Sequence, residues 1–379
     1  MLRPTIRLTS DARHVDNSNP MLFYQANQLV WGKAVSRRKL LLDLGAVSLI
    51  VIGVSLIGVK HAAKVAAHQD AIVNVSYDPT RELYDALNPR FIASFEKAAG
   101  RHVTIQQSHG GSSRQARKVA SGEQIADVVT LGLRADIDAL RRRGFVADHW
   151  EDRLPNHSVP YTSTIVFVTR GAKAKNVKDW PDLLQPGLEI VTPDPRTSSN
   201  GKLAALAAWL AITTRGGSEA DALAYLKAFY KHVPELAEGA RGASFVFFAK
   251  EFGDVHVTWE NEALREVAAS KGKLQIVYPP VSVLAEPPVA WVDKTTAARE
   301  TTDIAKAYLE FLFTDEAQVE IAKLGYRPYK PGAAERAGVK FADVKLVPPS
   351  KINSDWNSLD DKFFSETGIV TAIVEGAKK

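Results

Sequence analysis

Three short segments of this 379-residue chain carry residue types that bind an anion through neutral donors. They run from Ser76 to Tyr84, from Ser108 to Ser113 and from Thr197 to Gly201. Each follows a strand-like run and opens a helix-like one, so free backbone N–H groups and the positive end of a helix dipole point towards one place. Ordinary helix capping explains one such junction. Three in one chain favour a shared oxyanion site.

Two enzymatic interpretations of these segments lack residues that their chemistry requires. His109 beside two glycines and Ser112 resembles part of an esterase oxyanion hole, but no G-x-S-x-G nucleophile segment occurs in the sequence. A phosphate-binding P-loop at Lys202 would need Ser or Thr where Leu203 stands and Gly where Arg196 stands. We therefore expect a binding protein that has no catalytic residues and is not an enzyme.

Other candidate reactive groups have simpler explanations. Glu260 and Glu262 lie two residues apart beside Trp259, and we expect them to be solvated or to cap a helix rather than to form an acid/base pair. The nine histidines include no H-E-x-x-H motif, so no metal site is expected. No cofactor is predicted either.

The charge distribution argues against a nucleic-acid partner. The formal net charge is +5, but residues 1–67 hold nine Lys/Arg and only three Asp/Glu. The remaining residues hold 39 basic and 40 acidic side chains and are nearly neutral. The densest basic run, Arg141 to Arg143, is typical of the solvated end of a helix. Nucleic-acid binding would require a basic face with aromatic stacking platforms.

The N-terminal residues have the parts of an export signal. Ser36-Arg37-Arg38-Lys39 precedes an apolar stretch from Leu40 to Val59, and Val65-Ala66-Ala67 offers small residues for a peptidase. The paired arginines resemble a twin-arginine signal, although Leu40 replaces the usual Phe. The stretch is also long enough to span a bilayer, so an uncleaved N-terminal anchor remains an alternative.

Downstream, strand-like and helix-like segments alternate as in a doubly wound α/β protein. Strands are predicted at 72–77, 103–107, 127–131, 164–169, 188–192, 255–259 and 274–278. One helix is predicted from Asp78, as its N-cap, to Ala99. A second begins near Ser112, a third ends at Arg142, and two more lie at 201–214 and 219–231. The pattern restarts after residue 169, which predicts two lobes.

Two extended segments, Tyr161 to Thr164 and Ala285 to Pro288, are the expected crossings between the lobes. We predict an export leader at 1–67, a first lobe formed by 68–165 and 286–379, and a second lobe at 166–285. Ligands of open α/β sheets bind at the carboxyl ends of strands. The three junctions would then meet in the cleft between the lobes, and binding would close it.

Several motifs resemble the sulfate-binding proteins of bacterial ABC transporters. Most specific are Asn74 to Tyr84, Gln107 to Ser112, Leu154 to Phe167, Gly239 to Gly242 and Trp259 to Leu264, and the resemblance covers residues 72–330. It implies a type II periplasmic-binding-protein fold with two α/β lobes and the ligand in the interlobe cleft. It also implies a periplasmic, monomeric receptor that delivers sulfate to membrane permease and ATPase subunits.

The resemblance implies a set of sulfate ligands, all of them neutral donors. They are the N–H of Asp78, the hydroxyl or N–H of Ser112, the hydroxyl of Ser198, the N–H groups of Ser199, Asn200 and Ala240, and the indole N–H of Trp259. Such donors suit a fully deprotonated ion. Hydrogen phosphate would leave its proton unpaired.

Two positions bear on the choice of ligand. Ser199-Asn200 stands where the family commonly has a glycine pair, which permits closer backbone approach. The carboxylate of Asp78 could accept a proton from phosphate if it faced the cleft, but not if it capped the helix. Thiosulfate or another tetrahedral oxyanion such as molybdate is the alternative ligand, and a membrane-anchored oxyanion sensor is the alternative role.

Overall fold

The computed structural model of the protein describes residues 70–376, so the predicted leader at 1–67 lies outside the described residues. Thirteen strands in this range form two larger sheets and two small ones. They are β1 (Asp70–Tyr77), β2 (Val103–Gly110), β3 (Val128–Thr130), β4 (Tyr161–Thr162), β5 (Ile165–Arg170), β6 (Ile190–Pro193), β7 (Leu236–Ala237), β8 (Val255–Trp259), β9 (Leu274–Val277), β10 (Val281–Val283), β11 (Val289–Trp291), β12 (Arg327–Pro328) and β13 (Lys345–Val347).

Helices connect these strands and cover the sheets. They are α1 (Arg81–Ala99), α2 (Ser112–Ser121), α3 (Arg134–Arg142), α4 (Ser199–Thr213), α5 (Glu219–Lys231), α6 (Gly239–Ser244), α7 (Glu260–Ala269), α8 (Asp293–Arg299), α9 (Thr302–Phe311), α10 (Asp315–Lys323), α11 (Ala333–Arg336), α12 (Trp356–Phe364) and α13 (Ile369–Gly376). Short helical turns occupy Asp78–Thr80, Trp150–Arg153, Pro155–Ser158, Trp180–Leu184, Phe245–Ala249 and Pro349–Lys351. Among residues 70–376, no helix is long and apolar enough to span a membrane.

The first sheet has the strand order β11-β3-β1-β2. β1 is parallel to both β2 and β3, whereas β11 is antiparallel to β3. Successive residues of β1 enter different cores, because Ile72 packs with α1 and α9 whereas Val73 and Val75 pack with α2 and α3. Both faces of the sheet are therefore covered, and the carboxyl ends of β1, β2 and β3 lie at one edge.

The second sheet has the order β7-β6-β8-β5-β9. In β5, Ile165 and Phe167 face the core formed with α4 and α5, whereas Val166 and Val168 face the core formed with α6 and α7. β6 is parallel to β8, so the carboxyl ends of these two strands also lie at one edge. Helix α4 follows β6 and is apolar around most of its circumference. Such a helix is stable only when it is covered on all sides, and almost all of α4 is buried.

Much of this arrangement follows the prediction. The strand from Val255 to Trp259 and the helix from Glu219 to Lys231 are confirmed residue for residue. The two predicted crossings pair with each other, because Ser163 N donates to Ala285 O at 2.9 Å and Ala285 N donates to Ser163 O at 3.0 Å. These two segments, which are among the expected connections between the lobes, are therefore adjacent and hydrogen-bonded to each other.

The last two helices pack against helices that cover the second sheet, α12 against α4 and α13 against α5. The rings of Trp209 and Phe363 meet edge to face with centroids 4.9 Å apart, and Lys202 Nζ lies 2.6 Å from Asp360 Oδ1. The predicted division placed the whole of 286–379 in the first lobe. The lobe boundaries stay a prediction, and these contacts favour assigning the final helices to the second lobe.

Candidate anion-binding site

The second and third predicted junctions touch each other. Gly111 lies between β2 and α2, and a Cβ atom added to it would overlap the carbonyl oxygen of Thr197. The backbone N–H of Arg114, in the first turn of α2, donates to the same oxygen at 3.3 Å. The start of α2 on the first sheet and the start of α4 on the second sheet therefore meet directly.

The first junction contacts the start of α6. Gly239 has a left-handed φ of +68°, and a Cβ atom there would overlap a carboxylate oxygen of Asp78 and lie 3.6 Å from the backbone nitrogen of Gly111. Gly132, which follows β3, is packed as closely against the hydroxyl of Ser199. The close approach of backbone explains glycine at these positions.

The seven predicted ligands are all buried where the two sheets meet. Two come from the first-sheet side: Asp78, at the start of the turn after β1, and Ser112, the first residue of α2. Five come from the second-sheet side: Ser198, Ser199 and Asn200 at the start of α4, Ala240 at the start of α6, and Trp259 at the end of β8. The first N–H groups of a helix have no partner within that helix, so three helix starts present donors here.

Trp259 supplies a donor that nothing else uses. Its ring is fully buried, and its centroid lies 5.5 Å from that of Tyr77. Among residues 70–376, its indole N–H has no hydrogen-bond acceptor. A buried unpaired donor is costly, which favours an acceptor from a bound solute.

Asn200 has a similar unsatisfied amide. Its side chain is fully buried, and neither its carbonyl oxygen nor its NH₂ group has a partner within the described residues. It is one of the two positions where the family commonly has glycine. The amide adds an acceptor as well as a donor to a region that sequence reasoning treated as backbone donors only.

The hydroxyl of Ser112 is already engaged. It donates to Asp136 Oδ2 at 2.5 Å and accepts from the backbone N–H of Gly132 at 2.8 Å. Sequence reasoning missed Asp136, which lies in the first turn of α3. Its position one turn beyond the carboxyl end of β3 was the available signal, because that edge of the sheet holds the other junctions.

Asp78 does not cap the helix as predicted. Residues 78–80 form a separate short turn, and the residue before α1 is Thr80. The carboxylate lies instead against Gly239 and accepts from Arg81 Nη2 at 3.4 Å. Burial raises the pKa of Asp78 above its ordinary value, and Arg81 opposes that rise.

His109, considered above for catalysis, contributes no charge near neutral pH. Its Nδ1 lies 2.6 Å from the hydroxyl of Ser76. Burial lowers the pKa of His109 to about 4, and the neighbouring guanidinium groups of Arg81 and Arg241 add to this effect.

An ion-pair network spans the two sides of the site. Arg241 of α6 donates to both carboxylate oxygens of Glu82 in α1, each at 2.8 Å, and to Glu262 at 3.1 Å. Glu262 also accepts from Ser244 and Arg265. The pair of Arg241 and Glu82 is bidentate, so it fixes the position of α6 relative to α1.

The expectation that Glu260 and Glu262 are solvated is wrong. Both are buried, and Glu260 accepts two hydrogen bonds from Arg327, at 2.7 and 2.9 Å. Arg327 and Arg241 lie 67 and 21 residues away from them along the chain, so the local sequence gave no signal of these two pairings. Only the pair of Glu262 with Arg265 is local.

Two α/β lobes whose helix starts converge on buried neutral donors define a solute-binding protein of the type II periplasmic-binding class. The sequence pattern of the family described as bacterial extracellular solute-binding protein matches residues 79–327. The chain belongs to this family, whose members bind solutes and are not enzymes.

Individual relatives support the same assignment. The chain is 41% identical over 320 residues to a sulfate-binding protein of Escherichia coli (strain K12), covering 83% of this chain and 96% of that protein. It is 40% identical over 334 residues to a thiosulfate-binding protein of Pseudomonas aeruginosa, covering 87% and 98%. The solved structure of the sulfate-binding protein SubI from Mycobacterium tuberculosis H37Rv superposes with a TM-score of 0.70 at 32% identity, covering 78% of this chain and 99% of that one.

Proposed function

We propose that this protein captures sulfate outside the cytoplasm and delivers it to the permease and ATPase subunits of an ABC importer. The observation that carries the proposal is the mutual contact of the starts of α2, α4 and α6, together with a buried indole N–H on Trp259 that has no acceptor among residues 70–376. Backbone N–H groups, a hydroxyl and an indole N–H all donate hydrogen bonds. Sulfate presents four acceptor oxygens and no proton, so it can accept from each of these donors. The names of the relatives support the same ligand.

The proposed ligand set is the one expected from the sequence, with one refinement. Ser112 would contribute through its backbone N–H as long as its hydroxyl donates to Asp136. The other proposed ligands are Asp78, Ser198, Ser199, Asn200, Ala240 and Trp259.

Thiosulfate is the second candidate ligand. The thiosulfate-binding relative from Pseudomonas aeruginosa matches this chain as well as the sulfate-binding relatives do. The two dianions share a tetrahedral shape and acceptor-only chemistry, so the same donors would serve both.

The proposal has three further parts. They are export to the periplasm through the leader at 1–67, closure of the lobes around the ligand, and action as a monomer. Sequencing the N-terminus of the exported protein distinguishes a soluble receptor from an anchored sensor. A start near His68 supports the receptor, whereas retention of the Leu40 to Val59 segment supports the sensor.

Calorimetric titration of the purified protein with sulfate, thiosulfate, molybdate and phosphate at neutral pH tests the ligand. We expect tight binding of sulfate and no binding of phosphate. Tighter binding of thiosulfate would favour the second candidate. Preference for phosphate would mean that a carboxylate acts as acceptor in the site, and no response to any of the four would contradict the proposed function.

A further inference from the structure

One buried hydroxyl connects the two sides of the candidate anion site. Tyr326 lies shortly after α10, and its side chain is fully buried. Its hydroxyl donates to the carbonyl oxygen of Pro79 at 2.6 Å and accepts from Asn261 Nδ2 at 3.0 Å. Pro79 belongs to the turn after β1 on the first-sheet side, and Asn261 belongs to the first turn of α7 on the second-sheet side. The donor and the acceptor of a single hydroxyl therefore serve opposite sides.

Both residues that bind this hydroxyl are close in sequence to proposed sulfate ligands. Pro79 directly follows Asp78, and the two residues share one short turn. Asn261 lies two residues after Trp259, at the point where β8 passes into α7. A shift of either segment would move a proposed donor relative to the anion.

A second set of contacts joins Tyr326 to the indole of Trp259. The ring of Tyr326 packs on that of Tyr161, with centroids 4.7 Å apart. The hydroxyl of Tyr161 lies 3.3 Å from that of Tyr77, whose ring in turn packs on Trp259. All four side chains are buried, and closely packed interiors transmit a displacement from one side chain to the next.

The backbone before Tyr326 brings the ring against α7. Gly325 has a left-handed φ of +82°, which glycine adopts without strain. A Cβ atom added there would lie 2.8 Å from Leu264 Cδ1 and 3.3 Å from the Cα of Asn261. The N–H of Tyr326 also donates back to Ile321 O in α10, at 3.2 Å. The position of the tyrosine relative to α7 is thus fixed by its own main chain.

We propose that Tyr326 is a positioning residue of the anion site, whose hydroxyl holds the Asp78 turn and the Trp259 end of β8 at the spacing that a bound dianion requires. It acts through these two residues rather than by binding the anion itself. Burial raises the pKa of Tyr326 well above its ordinary value, so the hydroxyl keeps its proton and its effect does not depend on pH. This inference rests on the proposed function of the site as a sulfate receptor.

Sulfate binding by Tyr326→Phe, measured by calorimetry and by the release of labelled sulfate, tests the proposal. Phenylalanine keeps the ring packed on Tyr161 but leaves Pro79 O and Asn261 Nδ2 without this hydroxyl. We expect affinity to fall roughly tenfold at every pH, which is the scale of one buried hydrogen bond. The loss should lie mainly in faster dissociation, because the donors would hold the bound anion less well.

Tyr308→Phe is the matched control. Tyr308 is also fully buried, and its hydroxyl binds three side chains by hydrogen bonds. All three belong to the first-sheet side: Asn74 of β1, Asn88 of α1 and Gln107 of β2. This variant should lower the free energy of unfolding and leave sulfate affinity unchanged. An equal loss of affinity in both variants would overturn the inference.

A double variant separates positioning from a general loss of stability. In Tyr326→Phe/Trp259→Phe, the indole N–H that Tyr326 positions is absent. Affinity should therefore fall by less than the product of the two single losses, because coupled residues are not additive. Losses that simply multiply would show that the two residues act independently, and would overturn the inference.

Wild-type affinity in a folded Tyr326→Phe protein overturns the inference and leaves the sulfate receptor intact. If Tyr326→Phe does not fold, Asn261→Ala decides, because it removes only the donor on the second-sheet side. Weaker binding in Asn261→Ala supports the inference, and unchanged binding overturns it. Failure of the wild type to bind sulfate instead refutes the proposed function, and the inference with it.

Discussion

The two sides of the candidate site use different chemistry. The second-sheet side offers hydroxyls, helix-start N–H groups, an amide and an indole, all of which are uncharged at any physiological pH. The first-sheet side offers N–H groups as well, but two buried carboxylates, Asp78 and Asp136, stand directly behind them. Both carboxylates have a raised pKa because they are buried.

The two sides should therefore respond differently to pH. Donors that cannot titrate give the second-sheet side a constant attraction for a dianion. On the first-sheet side, Asp78 is paired with Arg81, and Asp136 accepts a hydrogen bond from the hydroxyl of Ser112. Changes to the neutral donors of the second-sheet side should therefore have effects that do not depend on pH, whereas changes to ionised groups of the first-sheet side, such as Glu82, should have effects that do.

The largest effect is expected where the two sides press together. In Gly239→Ala, the new Cβ would overlap the Asp78 carboxylate at a position whose left-handed φ already disfavours alanine. We expect sulfate affinity to fall by roughly a hundredfold, equivalent to about 2.8 kcal/mol, as measured by calorimetry. Gly122→Ala has a similar left-handed φ but no atom within 4 Å, and it controls for backbone strain alone. Equal losses in both variants would contradict a contact between the two sides.

Removing a single donor from the second-sheet side should have a smaller effect. Trp259→Phe keeps the ring packed on Tyr77 but deletes the indole N–H. A hydrogen bond to a charged group is worth at least about 1.5 kcal/mol, so sulfate should bind roughly tenfold more weakly at every pH.

Trp209→Phe is the matched control for this prediction. Trp209 is also buried, but it packs on Phe363 in the core away from the helix starts. It should alter stability and leave affinity unchanged. Wild-type affinity in Trp259→Phe would show that the indole is not a ligand.

The buried amide of Asn200 should affect stability. Asn200→Ala removes two buried polar atoms without partners and introduces a better helix former in the first turn of α4. We expect the free energy of unfolding without sulfate to increase by about 1 kcal/mol, measured by urea denaturation. A decrease instead would reveal that the amide is satisfied in solution.

The smallest effect is expected from the ion pair that links the two sides. Burial alone would raise the pKa of Glu82, but its hydrogen bonds to Arg241 hold the pKa at about 2. Because the pKa of Glu82 is lowered in the folded protein, its ionised carboxylate stabilises the fold at pH values above its ordinary pKa of about 4.5. This stabilisation is lost as the pH falls towards about 2. In Glu82→Gln, we expect a loss of about 1 kcal/mol or less near neutral pH, because the pair is partly exposed.

Thermal unfolding followed from about pH 7 down to about pH 2 checks this prediction. The difference between wild type and Glu82→Gln should shrink as the solution becomes more acidic. Glu316→Gln, which disrupts an exposed pair with Arg90 on the outer surface of the first lobe, provides the comparison. A difference that grows at low pH would contradict the assigned direction of the pKa shift.

Local pattern predicted the regular elements well. The alternation of apolar and polar residues located β8 to the residue, although the strand is buried on both faces. The helical periodicity located α5 to the residue, because this helix buries one face. The turn after β1 was not predicted, because nothing near Asp78 in the sequence shows that its carboxylate contacts Gly239 across the site.

Long-range ion pairs account for the remaining errors. Glu260 and Glu262 look like surface residues beside a helix start, and only the folded chain brings Arg327 and Arg241 to them. Asp136 was missed for the same reason, because its partner Ser112 lies 24 residues earlier on another helix. The sequence predicted which segments converge, and the fold was needed to show which side chains neutralise one another.

The paired crossings between Ser163 and Ala285 have a mechanical consequence. Two adjacent segments joined by reciprocal hydrogen bonds bend together and resist sliding past each other. We therefore expect relative movement of the lobes to follow one rotation axis, so that a single distance suffices to describe it. Because residues 70–376 contain neither cysteine nor methionine, a pair of introduced thiols could carry the two probes of that distance without competing sulfur chemistry.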